Sequence, residues 1–76
     1  MIPEDRDKSG KLRVGYFIAL GQAFKAKNGN YDQAEFKRQI EKSNILKPAD
    51  WESDGTHRYT WRHRVERATQ RIQTGI

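Results

Sequence analysis

The chain of 76 residues contains no cysteine and no long apolar stretch. Without cysteine it has neither disulfide bonds nor a thiolate zinc site. The longest apolar run, residues 16–20, is far too short to span a membrane. Residues 1–8 are mostly charged and carry no apolar core, so no secretory signal is visible. We therefore expect an intracellular protein without membrane contact.

The motifs of the common enzyme classes are missing as well. There is no glycine-rich phosphate loop, and His57 and His63 are six residues apart, on different faces of a helix. The carboxylates of Asp50, Glu52 and Asp54 alternate loosely like calcium ligands, but the downstream glutamate of a calcium loop is missing. We therefore expect no catalytic residues, no metal ion and no cofactor.

What the sequence does contain is a small apolar set and an excess of positive charge. Hydrophobic residues make up 34%, but eight of the residues are aromatic (Phe 3, Tyr 3, Trp 2), enough to anchor a compact core. The net charge is +5. This charge suggests an anionic partner, with nucleic acid first, although a basic surface kept for solubility explains the net charge equally well.

Apolar spacing predicts three helices in a single domain of residues 11–76, preceded by a flexible tail of residues 1–10. The first helix covers residues 11–27, and Gly15 and Gly21 inside it would permit a close helix crossing. The second covers residues 31–43, with Asp32 as its N-cap and Glu35 completing a capping-box pattern. The predicted buried side chains of these two helices are Leu12, Tyr16, Phe17, Leu20, Ala23, Phe24, Tyr31, Ala34, Phe36 and Ile40.

The third helix, predicted over residues 57–73, is the most informative segment. Its apolar stripe consists of Trp61, Val65, Ala68 and Ile72. The connector before it, residues 45–56, contains Trp51, which we expect to cover the helices rather than contact a partner. The face opposite the stripe carries one acidic residue, Glu66, and the five arginines Arg58, Arg62, Arg64, Arg67 and Arg71.

This arginine face has a physical match in DNA. Arginine pairs with phosphates and binds the O6 and N7 atoms of guanine through two hydrogen bonds. On the same surface, His63 and Thr69 would donate to phosphates or bases, and Thr60 would do so near the helix start. The alternative is an amphipathic helix whose arginines only face solvent. However, the connector before the helix is net negative and the helix is net positive, and this separation of charge along the chain favours contact with a polyanion.

The last thirty residues carry a pattern with a family likeness. The run of residues 45–51, then Gly55, then residues 59–68 and finally Gly75-Ile76, resembles winged-helix domains attached to bacterial restriction endonucleases. The resemblance implies a helix-turn-helix of three helices with the third in the major groove. It implies core positions for Trp61, Val65 and Ala68, and DNA contacts for Arg58, Arg62, His63 and Arg64.

Two features follow from this resemblance alone. Some related domains in modification-dependent nucleases read methylated adenine with aromatic side chains, a role that Trp51 or Tyr59, or else Trp61, would fill here. The chain ends just after Gly75-Ile76, where the family's β-wing begins, so we expect a wing that is small or missing.

The sequence thus predicts a mainly α, winged-helix-like module that binds double-stranded DNA, as the targeting part of an attached nuclease or as a regulator. Its predicted DNA-binding residues are Arg58, Thr60, Arg62, His63, Arg64, Arg67 and Arg71, with Trp51 and Tyr59 at a modified base. Such a protein would act in the bacterial cytoplasm, at the nucleoid. The alternatives are a small helical protein-interaction module, an adaptor or inhibitor, that binds an acidic surface, and an RNA-binding protein.

Overall fold

The computed structural model describes residues 2–53, 55 and 58–75, and these residues form three α-helices. The helices are α1 (Val14–Asn28), α2 (Gln33–Lys42) and α3 (Thr60–Thr74), and a single 3₁₀ turn (Pro48–Trp51) lies between α2 and α3. The predicted mainly α, three-helix fold is confirmed. None of the described helices has the length and apolar character that a membrane span requires.

Extended pairing within the described residues is limited to two isolated bridges, Arg6 with Leu12 and Ser53 with Tyr59. Both bridges lie just before a helix, and neither extends into a strand. The expectation of a small or missing wing therefore agrees with the part of the chain that the structure describes. Ile76, at the end of the family-like pattern, lies outside it.

Helix α1 begins three residues later than predicted. Leu12 is in the bridge with Arg6, and its amide donates to the buried carboxylate of Asp50 at 3.0 Å. Residues 11–13 are therefore extended, because a contact with a residue 38 positions away holds the backbone of Leu12. The helix ends as predicted, at the turn where Gly29 adopts a φ of 85° and donates its amide to Lys25.

Helix α2 has the predicted N-cap. The side chain of Asp32 accepts hydrogen bonds from the amides of Ala34 and Glu35, at 3.0 and 3.3 Å. Ala34 itself is exposed, so its predicted place in the core was wrong. It precedes the buried Phe36 by two residues, about 200° around the helix, and therefore points to the opposite side.

Helix α1 also contains one residue, Ala23, whose predicted place in the core was wrong. Ala23 is exposed, whereas Gly21, two residues before it, is buried against α3 and α2. A Cβ atom at Gly21 would clash with Cδ1 of Ile72 and come within 3.2 Å of Tyr31 Cε1. Gly21 thus permits the close crossing of α1 and α3, as the sequence suggested, and Gly15 does not take part because nothing lies within 4 Å of its Cβ position.

The core is organised around α3. Its stripe of Trp61, Val65, Ala68 and Ile72 is buried throughout, with exposures of 0–4%, as predicted. Trp61, Val65 and Ala68 pack in one cluster with the buried side chains of the other segments, which are Leu12, Tyr16, Phe17, Phe36 and Ile40. Helix α3 begins at Thr60 rather than at the predicted residue 57; residues 54, 56 and 57, and with them His57, lie outside the described part.

The segment that we expected to be a flexible tail makes specific contacts over its described residues. Arg6 is only 13% exposed, and its guanidinium donates to the carboxylate of Asp50 at 2.9 Å and to the carbonyl of Ile45 at 2.7 Å. Asp50 is 1% exposed and also accepts the amide of Lys47 at 2.9 Å. This buried ion pair joins the N-terminal segment to the connector beneath α3.

Candidate nucleic-acid interface

The five arginines of the α3 region do not form the single band that the sequence suggested. Successive helical residues are about 100° apart, so Arg62 and Arg64 lie about 200° apart and face different neighbours. Arg62 donates to Glu41 of α2 at 3.0 Å. Arg64 donates to the carbonyl of Leu12 at 2.9 Å and pairs with Asp7 at 3.0 Å. Arg62 and Arg64 therefore lie on two different flanks of α3.

The flank towards α2 combines three cations with an acidic centre. Arg58 and Lys37 both pair with Glu66, and together with Tyr59 and Arg62 they surround a surface depression. The side chains of Arg58 and Arg62 are 56% and 41% exposed. Exposed ion pairs of this kind contribute about 0–1 kcal/mol, so these cations can exchange their partners at low cost.

An aromatic cluster lies at the beginning of α3, and we call it the aromatic corner. It consists of Trp51, Tyr59 and Trp61, with ring centroids of Trp51 4.8 Å from Tyr59 and 5.6 Å from Trp61. Trp51 covers the buried Trp61, as expected, yet Trp51 and Tyr59 remain 36% and 42% exposed. The guanidinium of Arg62 lies 5.3 Å from the Tyr59 ring centroid, within the range of a cation–π contact.

Two predicted contact residues face inward instead. Thr60 is 5% exposed, and its hydroxyl donates to the carbonyl of Glu52 at 2.7 Å. Thr69 is equally buried, and its hydroxyl shares a hydrogen bond with that of Tyr31. Burial takes both hydroxyls out of reach of an external ligand, because each already has its partner inside the protein. His63 is half-buried on α3.

The outer side of α3 carries a row of exposed polar side chains that we call the α3 ridge. Its members follow one another at i, i+3, i+4 and i+7 and therefore share one face: Arg67, Gln70, Arg71 and Thr74. Neither Arg67 nor Arg71 forms an ion pair with any residue that the structure describes. Gln70 was not among the contact residues predicted from the sequence. Its position three residues after Arg67 puts the two side chains on the same face of the helix.

The α3 ridge adjoins a second group of cations at the start of α1. Arg67 lines a depression with Arg13, Arg64 and Asp7, next to the first residues of α1. Arg13 is half-exposed and pairs with Asp5 at 3.1 Å. Hydrogen bonds from Ser9, above all from its hydroxyl, and from the Lys11 amide lower the pKa of Asp7, with a further contribution from Arg64. Asp7 therefore stays ionised and keeps Arg64 in place.

The ion pairs show which positive side chains carry the net charge of the protein. Every acidic side chain in the described residues is in an ion pair except Asp32, which caps α2. The cations that form no ion pair within the described residues are Lys8, Lys25, Lys27, Lys42, Arg67 and Arg71. On α3 the uncompensated charge is thus concentrated at Arg67 and Arg71.

The acidic trio of the connector is not assembled as a metal site in the described residues. Asp50 points inward to Arg6, and Glu52 pairs with Lys11 at 2.9 Å, while Asp54 lies outside the described part. No group of three or more potential metal ligands comes together among residues 2–53, 55 and 58–75. In comparisons with known proteins, no family model, curated protein or solved structure matches this chain.

Proposed function

We propose that the chain is a double-stranded DNA-binding module whose contact surface is the α3 ridge. The observation that supports this is the pair Arg67 and Arg71, exposed one turn apart with no acidic partner among the described residues. The other two arginines on α3, Arg62 and Arg64, are paired with Glu41 and Asp7, and Arg58 just before the helix is paired with Glu66. A surface that leaves two guanidiniums uncompensated on a rigid helix favours a polyanion.

The dimensions and chemistry of the ridge suit the major groove. A helix of 15 residues is about 22 Å long, and the major groove, about 12 Å wide, accepts an α-helix. Arginine binds the O6 and N7 atoms of guanine, and glutamine binds the N6 and N7 atoms of adenine. In this arrangement Arg67 and Arg71 contact guanine or phosphate, and Gln70 contacts a base edge.

The flank towards α2 supplies the neighbouring contacts in this proposal. Arg58 and Arg62 would exchange Glu66 and Glu41 for phosphates of the duplex, which is inexpensive because those pairs are exposed. The exposed rings of Trp51 and Tyr59 would lie at the end of this surface, where they would contact a thymine methyl or a methylated adenine. The resemblance of residues 45–76 to restriction-nuclease winged helices supports a targeting role for an attached nuclease.

Titration of a fluorescent 16-base-pair duplex at several salt concentrations tests the proposal. Engagement of about four phosphates predicts a slope of log K against log salt of about −4. The double variant Arg67→Glu/Arg71→Glu should reduce the slope to about −2 and weaken binding at low salt. The double variant Lys27→Glu/Lys42→Glu makes the same change in net charge on other helices and should keep the wild-type slope.

Two results would contradict the proposal. One is equal loss of affinity in both double variants, which would mean that only net charge matters. The other is absence of salt-dependent binding by the wild-type protein. The same titration with an RNA duplex of matched sequence distinguishes the nucleic acids, because the deep, narrow major groove of RNA does not admit a helix. Tighter binding to RNA would argue for the RNA alternative.

A further inference from the structure

Helix α1 differs from the other two helices in having no charged face. No charged residue occurs between Arg13 and Lys25, whereas α2 and α3 each carry five charged side chains. Yet α1 is not enclosed by the protein, since Gln22 and Ala23 are exposed. A helical segment without charged residues is normally buried, so residues 14–24 of α1 are suited to contact with another molecule where they remain exposed.

This uncharged side of α1 borders an apolar groove that α2 completes, the α1–α2 groove. Its lining residues are Tyr16, Leu20, Phe24, Phe36, Gln39, Ile40, Ser43 and Ile45. Tyr16, Phe36 and Ile40 are buried and form the floor, while Leu20 and Phe24 are half-buried at the side. No residue of α3 is among them, so the groove is separate from the α3 ridge.

The size of the groove argues for side chains rather than a small molecule as its occupant. Its free volume is about 170 Å³, below the range of about 300–1,000 Å³ that is typical of small-molecule sites. From Tyr16 to Phe24 the α1 side of the groove extends over eight residues of helix, or about 12 Å, which is a little over two helical turns. A partner helix fits this length with apolar anchors at i, i+3 or i+4, and i+7.

The charges around the groove select the partner. Lys27 lies at one end, in a depression that shares Phe24 and Gln39 with the groove. Lys42 precedes Ser43 of the lining, and neither lysine is in an ion pair with a described residue. The acidic side chain at this rim, Glu35, is already held by Arg38 at 2.9 Å and by Gln39. The rim is therefore net positive and would repel the same rim of a second copy.

We propose that the α1–α2 groove is a docking site for an acidic amphipathic helix of a partner protein. Apolar side chains of that helix lie against Leu20, Phe24 and Ile45, and its flanking carboxylates pair with Lys27 and Lys42. The proposal does not depend on DNA binding, because the groove and the α3 ridge involve different helices.

A synthetic helical peptide of 14 residues tests this proposal directly. The probe carries leucines at i, i+4, i+7 and i+11 and glutamates on its flanks, and the matched control peptide has lysines in place of the glutamates. Amide chemical shifts of the ¹⁵N-labelled chain are followed during titration. We expect saturable shifts at Leu20, Phe24 and Ile45 with the glutamate peptide and much weaker binding of the lysine peptide.

Charge variants of the protein sharpen the test. Lys27→Glu/Lys42→Glu should weaken binding of the glutamate peptide about fivefold or more, since two attractive exposed pairs become repulsive. Ala23→Glu, at an exposed position on the α1 side of the groove, should weaken it as well. Arg67→Glu/Arg71→Glu has the same net charge as the first variant and should bind the peptide like the wild type.

Three results would overturn the proposal. The first is absence of shifts at the groove residues with millimolar peptide, and the second is equal affinity for both peptides. The third is a dimer of the chain alone, seen by sedimentation at increasing concentration and dispersed by Ala23→Glu, because the groove would then bind a second copy. Loss of DNA binding, by contrast, would leave this proposal unaffected.

Discussion

Replacement of Asp50 by alanine should destabilise the protein far more than loss of any other acidic side chain in the described residues. The Asp50 carboxylate is 1% exposed and accepts three hydrogen bonds, from the Arg6 guanidinium and from the amides of Leu12 and Lys47, at 2.9–3.0 Å. Removing one partner of a buried ion pair costs about 3–5 kcal/mol, because the other charge stays behind without compensation. The buried amide of Leu12 adds about 1–3 kcal/mol when it loses its acceptor.

Because Arg6 retains contacts with Glu4 and two carbonyls, the lower ends of these ranges apply, and we expect a loss of about 4 kcal/mol. A domain of this size has a free energy of unfolding of about 4–11 kcal/mol, so Asp50→Ala should remove about a third of it or more. Asp50→Asn keeps one acceptor oxygen and should lie between alanine and the wild type, which leaves the prediction measurable even if the alanine variant does not fold.

Urea denaturation followed by tryptophan fluorescence measures the difference, because Trp61 is buried in the native state. Glu52→Ala is the matched control: it removes a carboxylate two residues away whose side chain is 65% exposed and pairs with Lys11. That change should cost about 1 kcal/mol at most. Equal midpoints for Asp50→Ala and Glu52→Ala would refute the reasoning that the buried pair fastens the N-terminal segment.

Three further predictions concern the interior and the pH dependence. Tyr31→Phe should cost about 1 kcal/mol by loss of the hydroxyl contact with Thr69, and a double-mutant cycle with Thr69→Val should give a coupling energy of similar size. Ile72→Ala should cost about 2–5 kcal/mol in urea denaturation because it opens a cavity where α3 crosses α1; a loss under 1 kcal/mol would mean that the crossing is loose. The pKa of Asp7 is below its ordinary value of 3.8, chiefly because the Ser9 hydroxyl donates to the carboxylate. The ionised carboxylate of Asp7 therefore stabilises the fold above about pH 4, and this stabilisation is lost progressively as the pH falls below that value. Urea midpoints at pH 5 and pH 3 should therefore differ less in Asp7→Asn than in the wild type, and an identical difference would contradict the assignment.

Local sequence patterns were sufficient to predict the three helices, the end of α1 and the N-cap of α2. The 3.6-residue period of Trp61, Val65, Ala68 and Ile72 identified the buried face of α3, because residues at this spacing lie on one side of a helix wherever the helix packs. Asp32 was identified as an N-cap for an equally local reason, since its side chain reaches amides only two and three residues away.

The candidate site could be predicted only in part. The sequence identified a helix rich in arginine, but helical spacing cannot tell which arginines are neutralised. Glu41 and Asp7, 21 and 57 positions before Arg62 and Arg64, bind those two side chains and leave Arg67 and Arg71 without partners in the described residues. The helical spacing of Gln70 and Arg67 puts both residues on one face, but the exposure of that face is known only from the fold.

The sequence by itself determined the identity of the helices, the apolar stripe of α3 and the excess of positive charge, because these depend on residue type and on spacing along the chain. The tertiary structure alone decided which positive side chains remain without an acidic partner in the described residues and at which residue α1 begins. Asp50 holds Leu12 extended across 38 positions, and Glu41 and Asp7 neutralise two of the arginines on α3. Such contacts join residues far apart in the chain, so their energies appear only when folding brings the partners within hydrogen-bonding distance.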